Sequence, residues 1–328
     1  MIIQRRALMA LPLAAPFLPG GALAQGAAQA AYPSRAVRVV VPFPPGGSND
    51  AVARPLAEIM QRRLGQTFVI DNKPGAGSTI GSAEVARAPA DGYTLMVTSS
   101  TFSTSAAVQR TPYDAPRDFE CVAVLATAPL VVIAHPGFPA NNLAELARYV
   151  AANPEKVDYG SSGPGSINHL AAELFAREAG GLKMTHVPYR GMGPATTDLA
   201  AGTIQVIFTT MPSAAGIIQS GRVKVLGWTS EQRPANGPAG PTPRESGFPG
   251  YEASIWWGLL ARRGLPAEIR TLVNATANEA LADPRLATYL ASEGARPGSG
   301  DAAEADRFLV ADLTRWRSVA TAANIRVE

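Results

Sequence analysis

Two stretches, VVVPFPPGGSND from Val39 to Asp50 and VDYGSSGPGSIN from Val157 to Asn168, follow one pattern. Each reads as a buried strand, then a Gly/Pro/Ser loop, then the start of a helix. Such a loop exposes backbone N–H groups that no carbonyl of the helix satisfies. The helix dipole adds partial positive charge at the same point. Each stretch is therefore a candidate anion cradle. Two of them, roughly 120 residues apart, point to two lobes gripping one anionic ligand.

Outward from these stretches, strands and helices alternate. Val37 to Val41 is valine-rich, as in a strand buried on both faces. Helical periodicity runs from Asn49 to Leu64 and stops at Gly65, with a kink expected at Pro55. Thr67 to Asp71 reads as a strand. A third glycine-rich loop, Pro74 to Ser78, leads into a helix ending near Ala88, and Thr94 to Thr98 is the next strand. Val122–Leu125 and Leu130–Ala134 are further strands. The strand–loop–helix pattern restarts near Val131, returns through a Pro-rich connector from Arg233 to Pro243, and ends with the Trp256-Trp257 strand and three helices. This alternation means an α/β fold with largely parallel sheets. The second lobe, residues 131–251, is inserted into a first built from 32–130 and 252–328. The two crossings between them form a hinge.

The first residues have a different character. Arg5 and Arg6 precede an apolar run from Ala7 to Leu18, and Ala22-Leu23-Ala24 is an A-x-A cleavage site. Residues 1–24 are thus expected to be a removable export signal, of general secretory or twin-arginine type. Processing removes two of the charges in the formal net +3 and leaves the mature chain at +1. No Lys/Arg cluster interleaves with aromatics, which argues against a nucleic-acid partner. Cys121 stands alone and is expected as a small buried hydrophobe with no disulfide.

In the first loop, Gly46, Gly47 and Ser48 are expected to supply N–H donors, and Phe43 either covers the ligand's carbon chain or packs in the core. Asp50 would repel a bound anion, so it reads better as a helix cap than as a ligand contact. In the second loop, Ser161, Ser162, Gly163, Gly165 and Ser166 combine hydroxyl and backbone donors. His169, one turn into the next helix, reads better as a hydrogen-bond partner of that loop than as a ligand contact. Ser78, Thr79, Ser99, Ser100 and Thr101 lie at strand C-terminal ends, where α/β sheets place ligands. Tyr189 and Arg190 end another strand. Arg190 would pair with a second carboxylate or simply face solvent.

A secreted hydrolase is the rival class. It needs a serine elbow, a histidine and an acid, yet G-x-S-x-G is absent from the chain. No H-x-x-x-H or H-E pair suggests a metal, and no G-K-[ST] suggests a P-loop. The residues thus imply no catalytic group, no metal and no cofactor. A ligand sensor for a membrane signalling partner fits the same residues as a transport receptor.

Five blocks in order carry a resemblance: VVVPFPPGGSNDAVAR, DNKPGAGSTIGSAEVARAPADGYTL, YGSSGPGSINHLAAELF, HVPYRGMGPATTDLAAG and WWGLLARRGLP with LADPRLATYLASEGARP. Together the chain resembles the TctC/Bug family, the periplasmic solute-binding proteins of tripartite tricarboxylate transporters. The resemblance implies a type II periplasmic-binding fold, a small organic acid (mono-, di- or tricarboxylate) held between hinged lobes, location in the periplasm and delivery to a membrane permease. It also implies that one carboxylate is held mainly by backbone N–H groups of the two loops, often through water. Departures from the pattern are Pro45, Ile167-Asn168, Gln205 and Arg262-Arg263. Pro44-Pro45 and Met192 lie near the expected cleft and make the ligand's identity less transferable.

Overall fold

Valine decides the first strand: β1 (Val37–Val41) has every residue but Arg38 buried. The computed structural model describes residues 32–326 apart from 232, 235 and 323. The expected signal, residues 1–24, lies outside them. After β1 come α1 (Ser48–Leu64), β2 (Phe68–Asn72), α2 (Thr79–Ala86), β3 (Thr94–Ser99), α3 (Thr101–Val108), α4 (Ala115–Asp118) and β4 (Phe119–Pro129). The middle of the chain forms β5 (Val131–Ala134), α5 (Leu143–Ala152), β6 (Asp158–Ser161), α6 (Ile167–Glu178), β7 (Thr185–Pro188), α7 (Met192–Ala201), β8 (Val206–Thr209), α8 (Met211–Gln219) and β9 (Lys224–Trp228). It closes with β10 (Ser254–Arg262), α9 (Ala267–Ala280), α10 (Pro284–Ser292), β11 (Arg296–Pro297) and α11 (Ala302–Ala322).

Two sheets result. One has the order β11-β4-β10-β3-β1-β2, the other β7-β6-β8-β5-β9. The sheets are mixed rather than largely parallel. β1 runs parallel to β2 and β3, and β6 to β7 and β8. β10 lies antiparallel to β3 and β4, and β5 antiparallel to β8 and β9. The reversed strands are those joined directly across the sheets or through the long connector. The runs β1–α1–β2–α2–β3 and β6–α6–β7–α7–β8, joined through single helices, keep the parallel sense of crossover units, whereas β5 and β6 run in opposite senses although α5 joins them.

Hydrophobic side chains fill each sheet's face. Around the first, Val40, Met96, Phe102, Phe119, Trp256 and Leu309 form one cluster. Phe119 meets Phe102 edge-on at 4.9 Å and Tyr113 at 5.3 Å, geometries that the ring quadrupole favours. Around the second, Val131, Ile133, Ile207, Leu199 and Trp228 pack together. Cys121 is fully buried against β10, and burial pushes its thiol pKa far up, which keeps it protonated.

Leu130 alone separates β4 in one sheet from β5 in the other. The return crossing passes Thr229 and re-enters at Ala253. A threonine hydroxyl ties the two crossings: Thr229 Oγ1 accepts from Leu130 N–H at 2.8 Å and lies 2.6 Å from the Ala253 carbonyl, to which it donates. Its backbone adds bonds to Leu130 O and from Ala253 N–H.

Some family departures have structural jobs. Gln205 Oε1 accepts from Asp158 N–H at 2.7 Å at the start of β6. Arg263 forms a two-pronged pair with Asp306 at 2.9 and 3.0 Å. The helix α1 continues as one element through Pro55.

Candidate functional site

The first loop is built by Asp50. Its carboxylate is buried and accepts from Gly46 N–H at 2.9 Å, from Arg54 at 2.8 and 3.0 Å, and from Asn72 Nδ2 at 3.0 Å. Burial alone would raise its pKa, but the bonds from Arg54, Gly46 and Asn72 outweigh it and hold the carboxyl below its usual range. Asp50 therefore stays ionised and turned back into its own loop. One expectation changes here: the Gly46 N–H belongs to Asp50 and is not offered to a ligand. The first bond of α1 runs from Ala51 N–H to Gly47 O. The N–H groups of Gly47, Ser48 and Asn49 precede it and have no acceptor among the described residues. Asn72 also donates to Phe43 O at 3.1 Å, which fixes half-buried Phe43 at the loop's entry.

The second loop departs further from expectation. Gly163 N–H donates to Ser161 Oγ at 3.1 Å, Gly165 N–H to His169 Nδ1 at 3.2 Å, and Ser166 N–H to Gly163 O at 3.2 Å. Ser166 caps α6 by accepting from His169 N–H at 3.4 Å, and its hydroxyl donates to Gly163 O. Gly163, Gly165, Ser161 and Ser166 thus spend their donors holding the loop's shape. The N–H groups left without an acceptor among the described residues are those of Ser162, Ile167 and Asn168. Asn168 anchors this end: it accepts from Ser162 Oγ at 2.7 Å and donates to Phe208 O at 2.7 Å.

Beneath the loop the rings of His169 and His186 stack at 3.8 Å, 6° from parallel, with Tyr159 beside them at 5.1 Å from His186 and 6.2 Å from His169. Burial first, then the neighbouring ring, lowers the His169 pKa to about 3, and burial lowers that of His186 to about 4. Both are neutral at physiological pH. Ser161 Oγ sits 2.7 Å from His186 Nε2, the spacing of a nucleophile and its base. However, Ser161 is fully buried, and its oxygen also accepts from Gly163 N–H, so it is not presented to a substrate.

The third loop is strained. Gly75, Ala76, Gly77 and Ser78 all have positive φ, at 132°, 47°, 59° and 76°. The two non-glycine residues each cost about 1–2 kcal/mol in that region, and such strain gathers at functional sites. Gln109 holds the turn by donating to Ala76 O at 3.1 Å and Thr79 Oγ1 at 3.0 Å. Ser78 caps α2 from a buried position, with its hydroxyl unpartnered among the described residues.

Helix α3, which has no clear period in the sequence, joins these parts. A methyl group on Gly77 would stand 2.6 Å from Ser105 Oγ, and one on Gly165 would stand 2.6 Å from Val108 Cγ2. The third loop and the second loop therefore both press on α3. Asn49 Nδ2 reaches Ser99 Oγ at 3.5 Å, which brings in the first. Asn49 Oδ1 and Ser105 Oγ are buried without partners, as is Ser78 Oγ, and a buried polar atom of this kind costs about 1–3 kcal/mol unless something meets it. Asn49 and Ser105 were missed in the sequence. Asn49 stands beside Ser48 in the quoted stretch, and Thr101, Thr104 and Ser105 already lie at helical spacing.

The remaining candidates divide. Ser100 is structural: its hydroxyl accepts from Trp256 N–H at 2.7 Å and lies 3.3 Å from Ser254 O. Thr101 is partly exposed at the start of α3. Tyr189 donates to Asp198 at 2.7 Å, and burial first, then Asp198, pushes its pKa up to about 12. Arg190 is exposed and forms no ion pair among the described residues. Among those residues no group of three His, Cys, Asp or Glu side chains could hold a metal, and no helix is long and apolar enough to cross a membrane.

Comparison with known proteins agrees with this architecture. Residues 52–325 match the TctC model, described as the tripartite tricarboxylate transporter family receptor. Rpa4515 of R. palustris, solved with adipate, is 34% identical, with a TM-score of 0.79 over 90% of this chain and 99% of that one. The periplasmic binding protein BugD is 34% identical, with a TM-score of 0.77 over 90% and 100%. MatC of Rhodopseudomonas palustris, solved with malate, is 32% identical, with a TM-score of 0.77 over 88% and 99%.

Proposed function

This chain belongs to the TctC family of tripartite tricarboxylate transporter receptors, and on that premise we propose that it is a periplasmic receptor that captures a small organic carboxylate and delivers it to a membrane permease. In this reading the lobes are residues 32–130 with 252–328 and residues 131–251, closing about the Leu130 and Thr229 crossings. One carboxylate sits on the N–H groups of Gly47, Ser48 and Asn49, at the positive end of the 17-residue helix α1. The second lobe adds the N–H of Ser162, with Ser78 and Thr101 at the margin.

The observation that carries this reading is the state of Asp50. A carboxylate in the first turn would repel an anion, yet this one is neutralised by Arg54 and turned into the loop. The helix end is thereby left positive. The neighbours solved with adipate and malate hold dicarboxylates, which supports a ligand with a second carboxylate. Exposed Arg190 is the candidate to receive it.

The test is a thermal-shift and calorimetric screen of mono-, di- and tricarboxylates with wild type and Gly47→Pro. Gly47 has φ −79°, close to proline's own value, and only Pro44 O lies near its Cβ position, at 3.6 Å. The substitution therefore removes one donor with little strain. It should abolish carboxylate binding while the protein stays folded. Arg190→Ala should weaken diacids and leave monoacids unchanged. If no organic anion raises the melting temperature of ligand-free wild type, the reading is wrong.

A further inference from the structure

A cavity of about 460 Å³ lies beside the strand crossings. None of the three glycine-rich loops lines it. Thr127 to Pro129 on the outgoing crossing form one side, and Ser254 and Trp256 on the return crossing form another. The roof is the connector at Arg233 and Pro234, seated on the turn between α10 and β11. Gly294 makes that seat: its φ is +65°, and a methyl group there would stand 2.5 Å from Pro234 Cγ. The volume falls in the range of small-molecule sites.

The lining has a definite chemistry. Three arginines line it, Arg233, Arg296 and Arg315. Arg233 is paired with Glu245, but Arg315 donates to a neutral acceptor, the Glu252 carbonyl. Arg296 is exposed and has no ion pair or side-chain hydrogen bond among the described residues. The acidic lining residues are Glu252, exposed at the edge, and Asp312. The Asp312 oxygens are taken by Trp256 Nε1 at 2.7 Å and Trp316 Nε1 at 3.0 Å. Burial, opposed by those indole bonds and by the nearby Arg315 charge, holds the Asp312 carboxyl above its usual range. Half-buried Phe308 supplies an aromatic surface, and Trp256, 2% exposed and edge to face with it at 5.9 Å, packs against it from the core.

We propose that this cavity is a second ligand site, for an organic anion with a flat apolar body such as an aromatic carboxylate, and that its occupancy shifts closure of the cleft. Arg296 and Arg315 receive the charged group, and Phe308 takes the ring. The coupling follows from position. An occupant touches both crossings, so any change in their relative angle alters its contacts, and differential contact is what moves an equilibrium. The binding claim stands alone; the coupling rests on the carboxylate reading of the cleft.

Phthalate, benzoate and 2-naphthoate are the probes, followed by tryptophan fluorescence and calorimetry on wild type, Gly47→Pro, Arg296→Gln and Arg296→Glu. Arg296 is exposed, so both of its variants are expected to fold. At least one probe should bind wild type and Gly47→Pro equally. Arg296→Glu should weaken it tenfold or more, with Arg296→Gln in between. The bound probe should also change the wild type's affinity for its cleft carboxylate at least threefold. Probe binding lost in Gly47→Pro but intact in Arg296→Glu would place the probe in the cleft and overturn the proposal. Absence of saturable binding by all three probes would overturn it as well. Probe binding with no effect on the cleft affinity removes the coupling. If the cleft reading fails instead, no carboxylate shows binding sensitive to Gly47→Pro, while Arg296-dependent probe binding persists.

Discussion

Acid should act on this protein through the stacked imidazoles of His169 and His186, and two substitutions isolate that effect. Both rings titrate well below the ordinary 6.5 in the folded protein, at about 3 and about 4. As pH falls through 6.5, the unfolded chain takes up protons that the folded chain refuses. The stability these groups contribute is therefore complete above 6.5 and is lost as pH falls toward their folded values. One proton difference corresponds to about 1.4 kcal/mol per pH unit. His169, 7% exposed, contributes nearly all of that. His186 is only half-buried, and solvent screening reduces its share to roughly half. Together they give a slope of about 2 kcal/mol per pH unit, or about 4 kcal/mol between about pH 6 and about pH 4. His169→Asn keeps an acceptor where Nδ1 receives Gly165 N–H, and His186→Gln keeps a polar atom near Ser161 Oγ. Urea unfolding across this pH range, on wild type and the double variant, reads the difference. The variant should lose most of the slope. Parallel curves for the two proteins would refute the assignment of acid sensitivity to this pair.

Three further outcomes follow from the site and the crossings. Gly165→Ala places a methyl group 2.6 Å from Val108 Cγ2 at a φ of +75°, and it should destabilise by about 2–4 kcal/mol in denaturant melts. Asp50→Ala frees Gly46, Arg54 and Asn72 at once; it should lower stability by about 2–3 kcal/mol and weaken carboxylate binding tenfold or more, measured by calorimetry. Thr229→Val keeps the shape but leaves Leu130 N–H and Ala253 O short of a partner, so urea melts should show a loss of about 1–3 kcal/mol.

The strand–loop–helix pattern made both loops legible because it rests on local physics: valine runs, glycine and proline punctuation, and helix starts. The same locality limited the reading. Whether Gly163 or Gly165 offers its N–H outward depends on His169 and Ser161, whose reach back into the loop is a matter of three-dimensional placement. Asp50 is legible as a cap rather than a carboxylate contact because its charge would repel an anion, although its partner Asn72 lies on a separate strand and is not legible. The expectation of largely parallel sheets fails at β5 and β10, since sequence alternation does not record which way a strand enters a sheet. Helix α3 escaped notice because TFSTSAAV is short and polar, with buried Phe102 and Val108 too few to mark a period.

Thr229 has a consequence for how many ways the protein can move. Two independent strands between two bodies would permit bending, sliding and twisting. A single hydroxyl that bridges Leu130 and Ala253 removes the sliding, because relative translation would break bonds of 2.8 and 2.6 Å together. In the proposed two-lobed reading, what survives is rotation about one line through the crossings. Under the proposed closure, a partner at the outer surface then meets only two shapes, set by a single angle, and can read occupancy without touching the ligand.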